Sequence, residues 1–405
     1  MIVRHPTEGE LERAAEIGYI AFSGSNRDEW VKDFSARARM FGLEYILVVE
    51  LDGKLVSSLM CTPGPIWCGG DIVTHSAVGG VGTIPEARKN GCAGAMMAET
   101  VRFLRRQGIH TSSLWPFSYP YYRKFGWEVG SERRKYSGKP EAFAALGDPA
   151  NARIAFPDDL PIIIEAYNRL ASRYSGLTVR NEAWWNGLIK ACNIVLDGGP
   201  AQVDGRRRIY LVGDDKPQAY AVSSIREMEG PQTGVHVDEI FSDDPLLLSS
   251  LLSFIARQKE ADEMTVHTPC DDLLLHQLPE PRDLELKYEP GHQFRVIDPS
   301  AALVSRKPGT GVKGFLGFQL TDPVFSKGWR FTAELDGEAI TVSKDKTRNE
   351  LSTSVQMFAR MFSGYLRPNQ AVALGRASVS SEEALYLAEA AFRQVVPFRS
   401  LIEPG

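Results

Sequence analysis

Apolar positions recur along this chain in two rhythms, one helical and one alternating. Leu11, Ala14, Ala15, Ile17, Gly18 and Ala21 sit at helical spacing behind a short apolar start, so residues 1–22 predict a strand and an amphipathic helix. Residues 45–51 and 55–61 predict two strands turning at Asp52-Gly53. A further apolar strand breaks at Pro85, and a glycine/alanine-rich turn follows it. Ala93, Met96, Met97, Val101 and Leu104 then mark one face of a helix that Gly108 ends, and 109–114 predicts the next strand. Strand, glycine turn, helix and strand in succession make a βαβ unit.

Past a polar segment, 130–151, the pattern returns in degraded form. Residues 235–241 predict a strand, 245–258 a helix and 264–267 a strand. A third unit starts near His292, after the loop around Pro279, Pro281 and Pro290. There 314–320, 329–335 and 338–343 predict strands, the last two joined by Asp336-Gly337, while 354–362 and 381–395 predict helices. Ser380-Ser381-Glu382-Glu383 gives the latter helix capping-box spacing. The expected fold class is α/β plus α+β, with domains at 1–145, 146–290 and 291–405.

A chain of 405 residues with 43% hydrophobic and 24% charged residues is ordinary globular material of several domains. No run long enough to span a bilayer occurs, and the acidic N-terminal stretch with Glu8, Glu10, Glu12 and Glu16 is no signal peptide. The five cysteines are odd in number, scattered and never in a Cys-x-x-Cys pair, which predicts a reducing cytoplasm and no metal site. A net charge of -5 speaks against nucleic-acid binding and mildly favours cationic substrates.

The turn carries the candidate chemistry. Gly91, Cys92, Ala93, Gly94 and Ala95 are small enough to admit a ligand to the backbone of a helix N-terminus, whose unbonded N–H groups suit a pyrophosphate; Arg88 and Lys89, beside Asn90, add positive charge. The competing reading is that these small residues only allow close helix–sheet packing. A dinucleotide fingerprint at Gly79, Gly80 and Gly82 is weaker, since Pro85 and Glu86 intervene before the helix. In the second unit Asp243 and Asp244 stand where the turn should be, and two carboxylates exclude a phosphate. Downstream of the first unit, residues 116–127 form an aromatic block.

Arg88-x-x-Gly91-x-Ala93 resembles the coenzyme A signature of the Gcn5-related N-acetyltransferases (GNAT), and Tyr122-x-x-Phe125-Gly126 resembles the segment in which that family keeps its acid. Tyr119, Tyr121 and Trp127 read as packing. Arg173-Tyr174-Ser175-Gly176 with Trp184-Trp185, Asp238-Glu239-Ile240-Phe241-Ser242 and Met361-Phe362-Ser363-Gly364-Tyr365 extend the likeness to the Eis (enhanced intracellular survival) acetyltransferases across essentially the whole chain. That resemblance implies tandem GNAT-like domains followed by a sterol-carrier-protein-like domain, a hexamer, acetyl-CoA as co-substrate, and small-molecule or peptidyl amines such as aminoglycosides or lysines as acceptors. It also implies Tyr122 as general acid and the terminal carboxylate, here on Gly405, as proton acceptor. The family usually ends in an aromatic residue, and this chain ends Glu403-Pro404-Gly405.

Direct acetyl transfer requires a proton for the departing thiolate, which a phenol matches, and polarisation of the thioester carbonyl, for which the backbone N–H groups of Val81, Gly82 and Thr83 are placed. Phe117 and Ser118 are placed to touch the pantetheine or acetyl end, although Phe117 reads equally as core. A terminal carboxylate is a poor base unless its surroundings raise its pKa. Asp238, Glu239, Trp184 and Trp185 are candidate walls of a substrate cleft against the simpler reading of salt bridges and core; Asp28 and Glu29, near Phe22 and Trp30, are candidate substrate selectors. Cys92 has no nearby histidine and reads as a small turn residue rather than a nucleophile. His75 and His110 flank the site as candidate bases, a role a lone histidine at a strand edge seldom fills. The alternative function is a lipid or sterol carrier, motivated by the apolar stripe Val355, Met357, Phe358, Met361 and Phe362.

Overall fold

A computed structural model describes residues 1–22, 26–149, 151–199, 201–214, 216–228, 232–258 and 260–403. The first sheet has seven strands, in the order Ile2–Arg4, Ile46–Leu51, Lys54–Pro63, His75–Thr83, Thr111–Leu114, Gln293–Val296 and Glu128–Val129. Strand alternation fills both its faces. Leu47 and Val49 pack with Met96, Met97, Val101 and Leu104 of helix Cys92–Arg106, whereas Ile46 and Val48 pack with Ala14 and Ile17 of helix Leu11–Phe22 and Phe34 of helix Arg27–Phe41.

The second sheet repeats this layout in the order Ala152–Ile154, Arg207–Val212, Ala219–Glu227, Thr233–Ser242, Glu263–Thr268, Glu132–Gly138 and Leu284–Pro290, with Ile194–Val195 added beside Arg207–Val212. Tyr210 and Val212 join the core under helix Pro245–Ala256; Ile209 and Leu211 join the opposite core with helices Leu160–Ala171 and Glu182–Ala191. The third unit is a sheet ordered Ile340–Ser343, Trp329–Asp336, Lys313–Thr321, Glu350–Ser354 and Ala377–Val379, packed on helices Val355–Ser363 and Glu382–Ala391. Ser354 and Ser381 cap those two helices through their side chains. The last helix ends short of the expected residue 395, because the chain turns at Phe392 toward strand Val396–Pro397.

Sheet membership crosses the order of the chain. Glu132–Gly138, within a stretch that reads as a polar connector, is an inner strand of the second sheet. Only Tyr136 of that strand is buried, and its arginines are ion-paired, Arg133 with Glu289 of the neighbouring strand at 2.8 Å and Arg134 with Asp272 of a loop at 3.1 Å, so no alternating apolar signal announces it. Conversely Gln293–Val296 belongs to the first sheet, wedged between Thr111–Leu114 and Glu128–Val129. A small fourth sheet joins hairpin Ile66–Cys68 and Asp71–Val73 to Tyr174–Thr178 and Val396–Pro397. Among the described residues no helix is long and apolar enough to cross a membrane.

Candidate active site

His75–Thr83 and Thr111–Leu114 run parallel but pair only from His75 to Ala77 against Thr111 to Ser113. Beyond that the two strands part. The diverging strand is also bulged: Gly80, at φ +64°, and Val81 stand opposite the single residue Leu59. Adjacent glycines inside a strand are the sequence signal for such a bulge.

After Thr83 the chain makes a single helical turn, Pro85–Ala87, and reaches Gly91 in the left-handed conformation, φ +77° and ψ 2°. Lys89 also has a positive φ, +69°. The first bond of helix Cys92–Arg106 runs from the Ala95 N–H to the Gly91 carbonyl at 3.0 Å, and no side chain caps the helix. The amides of Cys92, Ala93 and Gly94 therefore lie ahead of the ladder as open donors at its positive end. A methyl added at Gly91 would meet nothing within 4 Å. Arg88, Lys89 and Asn90 are exposed around this opening, with the Arg88 Nε donating to the Thr83 carbonyl at 3.3 Å. The equivalent helix of the second unit is closed to an anion: Asp244 accepts the Leu246 N–H at 2.7 Å, Pro245 removes another donor, and Asp243 is ion-paired with Arg169.

Not every residue expected at the turn faces it. The Cys92 side chain is buried among Met96, Met97 and Tyr122, leaving only its amide for a ligand; it is no nucleophile. Gly82 is small for a different reason, since a methyl there would lie 2.9 Å from Cβ of Ala21 in the helix behind the sheet. Val81 packs partly against the same core as Cys92, and the Thr83 hydroxyl bonds that of Ser57 at 2.8 Å.

The aromatic block abuts the turn. A methyl at Gly94 would lie 3.6 Å from Cζ of Phe125, a contact no sequence signal announces, and Tyr122 shares the core of Cys92. Ser118 heads the short helix Tyr119–Arg123, and Phe117, 72% exposed, stands off the core with its ring 5.3 Å from those of Tyr121 and Tyr122. The Tyr122 ring is 2% exposed, and among the described residues nothing hydrogen-bonds its hydroxyl. Burial, reinforced by Tyr121, raises its pKa above the ordinary phenol value. Tyr119 is tethered to the carbonyls of Pro290 and Gly291 at 3.1 and 2.8 Å, and Trp127 is fully buried.

Of the remaining candidates, most are buried or ion-paired, whereas Asp28 and Glu29 are exposed. Glu239 and Trp185 are fully buried, Asp238 is bonded by Arg207 and Arg226 at 2.8 and 2.9 Å, and Trp184 is seated against Gly64. Asp28 is paired with Arg27 at 3.0 Å, and Phe22 stacks on Trp30 at 5.6 Å. His75 is enclosed between the hydroxyls of Thr111 and Ser113 at 3.0 and 2.9 Å, and burial, with Arg399 and His292, keeps it neutral. His110 is half-buried, its Nδ1 3.3 Å from the Ser305 hydroxyl. Gly405 lies outside the described residues; the chain is described as far as Glu403, whose carboxylate meets Arg180, a pairing across 223 residues that local pattern cannot foresee. The stripe of the third unit is core, Phe362 stacking on Phe294 and Phe358, so the feature that motivated a lipid carrier is spent on packing.

Comparison with known proteins identifies the domains that carry these elements. Residues 2–130 match one family described as an acetyltransferase (GNAT) domain, 176–296 match a second so described, and 299–400 match a sterol carrier protein domain. An uncharacterized N-acetyltransferase of Streptomyces griseus is 26% identical, covering 96% of this chain and 95% of its own. Among solved structures, a GCN5-related N-acetyltransferase from Anabaena variabilis superposes with a TM-score of 0.82 at 22% identity, over 98% of both chains. Eis1 from Mycobacterium abscessus superposes with a TM-score of 0.74 at 19% identity, over 98% of this chain and 99% of its own. The chain thus carries two GNAT acetyltransferase domains followed by a sterol carrier protein domain, and it shares its fold with Eis1 over nearly its whole length.

Proposed function

We propose that this enzyme transfers acetyl from acetyl-CoA to an amine of a cationic acceptor, an aminoglycoside, a polyamine or a peptidyl lysine, in the cytoplasm and as a hexamer. The observation that carries the reading is the contrast between the two helix N-termini: the first is open, glycine-lined and flanked by Arg88 and Lys89, while the second is capped by Asp244. Open amides at Cys92, Ala93 and Gly94 fit a diphosphate, and the unpaired edge beyond Ala77 fits an extended pantetheine arm. When bound, acetyl-CoA supplies the acetyl group as a thioester. The Tyr122 hydroxyl holds a proton for the leaving sulfur, and its raised pKa keeps that proton in place throughout the neutral range. The Gly405 carboxylate takes the proton from the attacking amine, as the family resemblance implies.

The test is thiol release from acetyl-CoA across a panel of amines, with Tyr122→Phe beside the parent. The variant is expected to keep acetyl-CoA affinity and to lose about 10²-fold or more in kcat. Because burial moves the Tyr122 pKa upward, no loss of turnover below about pH 10 is assigned to its ionisation. Parental turnover in the variant removes Tyr122 from the chemistry.

A further inference from the structure

Tyr122 sits on a helix of only five residues, too short to hold itself, so its placement comes from outside. The backbone of residues 119–127 is gripped by side chains from far along the chain. Gln293, fully buried, donates through Nε2 to the Tyr119 and Trp127 carbonyls at 3.2 and 3.3 Å. Arg295, on the same face of that strand, donates through Nη1 to the Phe125 carbonyl at 2.5 Å and through Nη2 to both Asp322 oxygens at 3.0 and 2.8 Å. From helix Val355–Ser363 of the third unit, Gln356 donates to the Arg123 carbonyl at 3.1 Å. Gly126 makes room for the guanidinium: at φ +92°, a methyl there would lie 1.4 Å from Arg295 Nη1. Asp322 also accepts the Val324 and Phe325 amides at 2.8 and 3.2 Å and the Trp329 indole N–H at 3.0 Å, and Val324 and Phe325 pack against the core that holds Tyr122. The gripped backbone connects directly to the site. The Tyr122 carbonyl accepts the Phe125 and Trp127 amides at 2.9 and 3.3 Å, and the Phe125 ring lies against Gly94 of the open turn.

We propose that Arg295, oriented by Asp322 and assisted by Gln356, positions Tyr122 beside the turn, so that the third unit works as a clamp on the first unit's acid. An enclosed ion pair is weak evidence for stability, but here it aims a group: with Nη2 held by Asp322, the rigid plane of the guanidinium directs Nη1 at the Phe125 carbonyl. Arg295, Asp322 and Gln356 are positioning residues, and the inference rests on the reading in which Tyr122 gives the leaving sulfur its proton.

Arg295→Lys keeps a charge beside Asp322, but a single ammonium does not reproduce the two fixed directions of the guanidinium. Assayed by thiol release from acetyl-CoA with the most active amine of the panel, it is expected to lower kcat by about 10- to 100-fold while the acetyl-CoA dissociation constant stays at the parental value. In a Tyr122→Phe background the same change is expected to cost less than about twofold, because the group it positions is gone. General damage to the frame would instead lower kcat by the same factor in both backgrounds. Gln356→Ala removes one hydrogen bond at a half-buried position and is expected to show the same pattern at about threefold, so it decides the matter if Arg295→Lys does not fold. Parental kcat in the folded variant, or an equal loss with and without the Tyr122 hydroxyl, overturns the clamp. If Tyr122→Phe alone keeps parental turnover, the reading of Tyr122 as the acid falls and the inference with it; if Tyr122→Phe is impaired while the clamp variants are not, only the clamp falls.

Discussion

Replacing Gly91 by aspartate tests the cofactor cradle most directly. Gly91 sits at φ +77° with nothing within 4 Å of an added Cβ, so the new side chain meets no clash and costs about 1 kcal/mol of backbone strain. Because this position immediately precedes helix Cys92–Arg106, the introduced carboxylate would accept a first-turn amide, recovering about 1 kcal/mol as an N-cap and leaving overall stability near the parent's. The same bond removes a donor that a phosphate would use, worth about 1.5–3 kcal/mol for a charged acceptor. A carboxylate about 4 Å from a phosphate charge adds repulsion between about 1 kcal/mol in bulk water and about 4 near a protein surface. Together these weaken acetyl-CoA by about 2.5–7 kcal/mol, or about 10²- to 10⁵-fold. Gly91→Ala isolates the strain: it should lose about 1 kcal/mol of stability and keep its affinity. Isothermal titration calorimetry on the three proteins decides the point. Binding by the Gly91→Asp variant within threefold of the parent would refute the cradle.

Two further outcomes concern the frame that holds the site. His75 and His292 are buried and neutral, with pKa values pushed below 6.5 by burial and by Arg399; the unfolded chain binds protons below pH 6.5 that the folded chain does not, so stability falls as pH drops through that value, by up to about 1.4 kcal/mol per unit per histidine. Urea midpoints at pH 7.5 and 5.5 should show the decline, to which His110, His236 and His267, also lowered by burial, add, and His75→Gln should lessen it by one histidine's share; an unchanged slope in that variant would count against the assignment. Arg295 ties the first sheet to the third unit, bonding Asp322 at 3.0 and 2.8 Å with both side chains fully enclosed. Arg295→Met strands Asp322 and should cost about 3–5 kcal/mol, read as a lowered melting temperature; a neutral effect would show that the pair does not tie the two units together.

What was legible in the sequence was local. The helix face Ala93, Met96, Met97, Val101 and Leu104, the Asp336-Gly337 hairpin and the Ser381 cap all depend on neighbours within a few residues, and each is found where the pattern put it. The open turn at Gly91 was legible for the same reason. Strand Glu132–Gly138 was not, because its polar side chains are answered by Glu289 and Asp272 far along the chain. Nor was the role of Gly82, which is set by a helix some sixty residues earlier, or the partnership of Arg180 with Glu403. Asp238 and Glu239 stood out as acidic residues, but only the three-dimensional contacts assign them to buried ion pairs.

The return of strand Gln293–Val296 to the first sheet has a consequence for synthesis. As the chain leaves the ribosome, the layer that carries the open turn at Gly91 lacks its sixth strand until residue 296 has emerged, by which time the whole second unit is already present. The first sheet cannot be completed before then, so excising residues 1–130 as a minimal catalyst would leave Thr111–Leu114 as a bare edge. The first unit, although it leads the chain, is thus finished only after its twin.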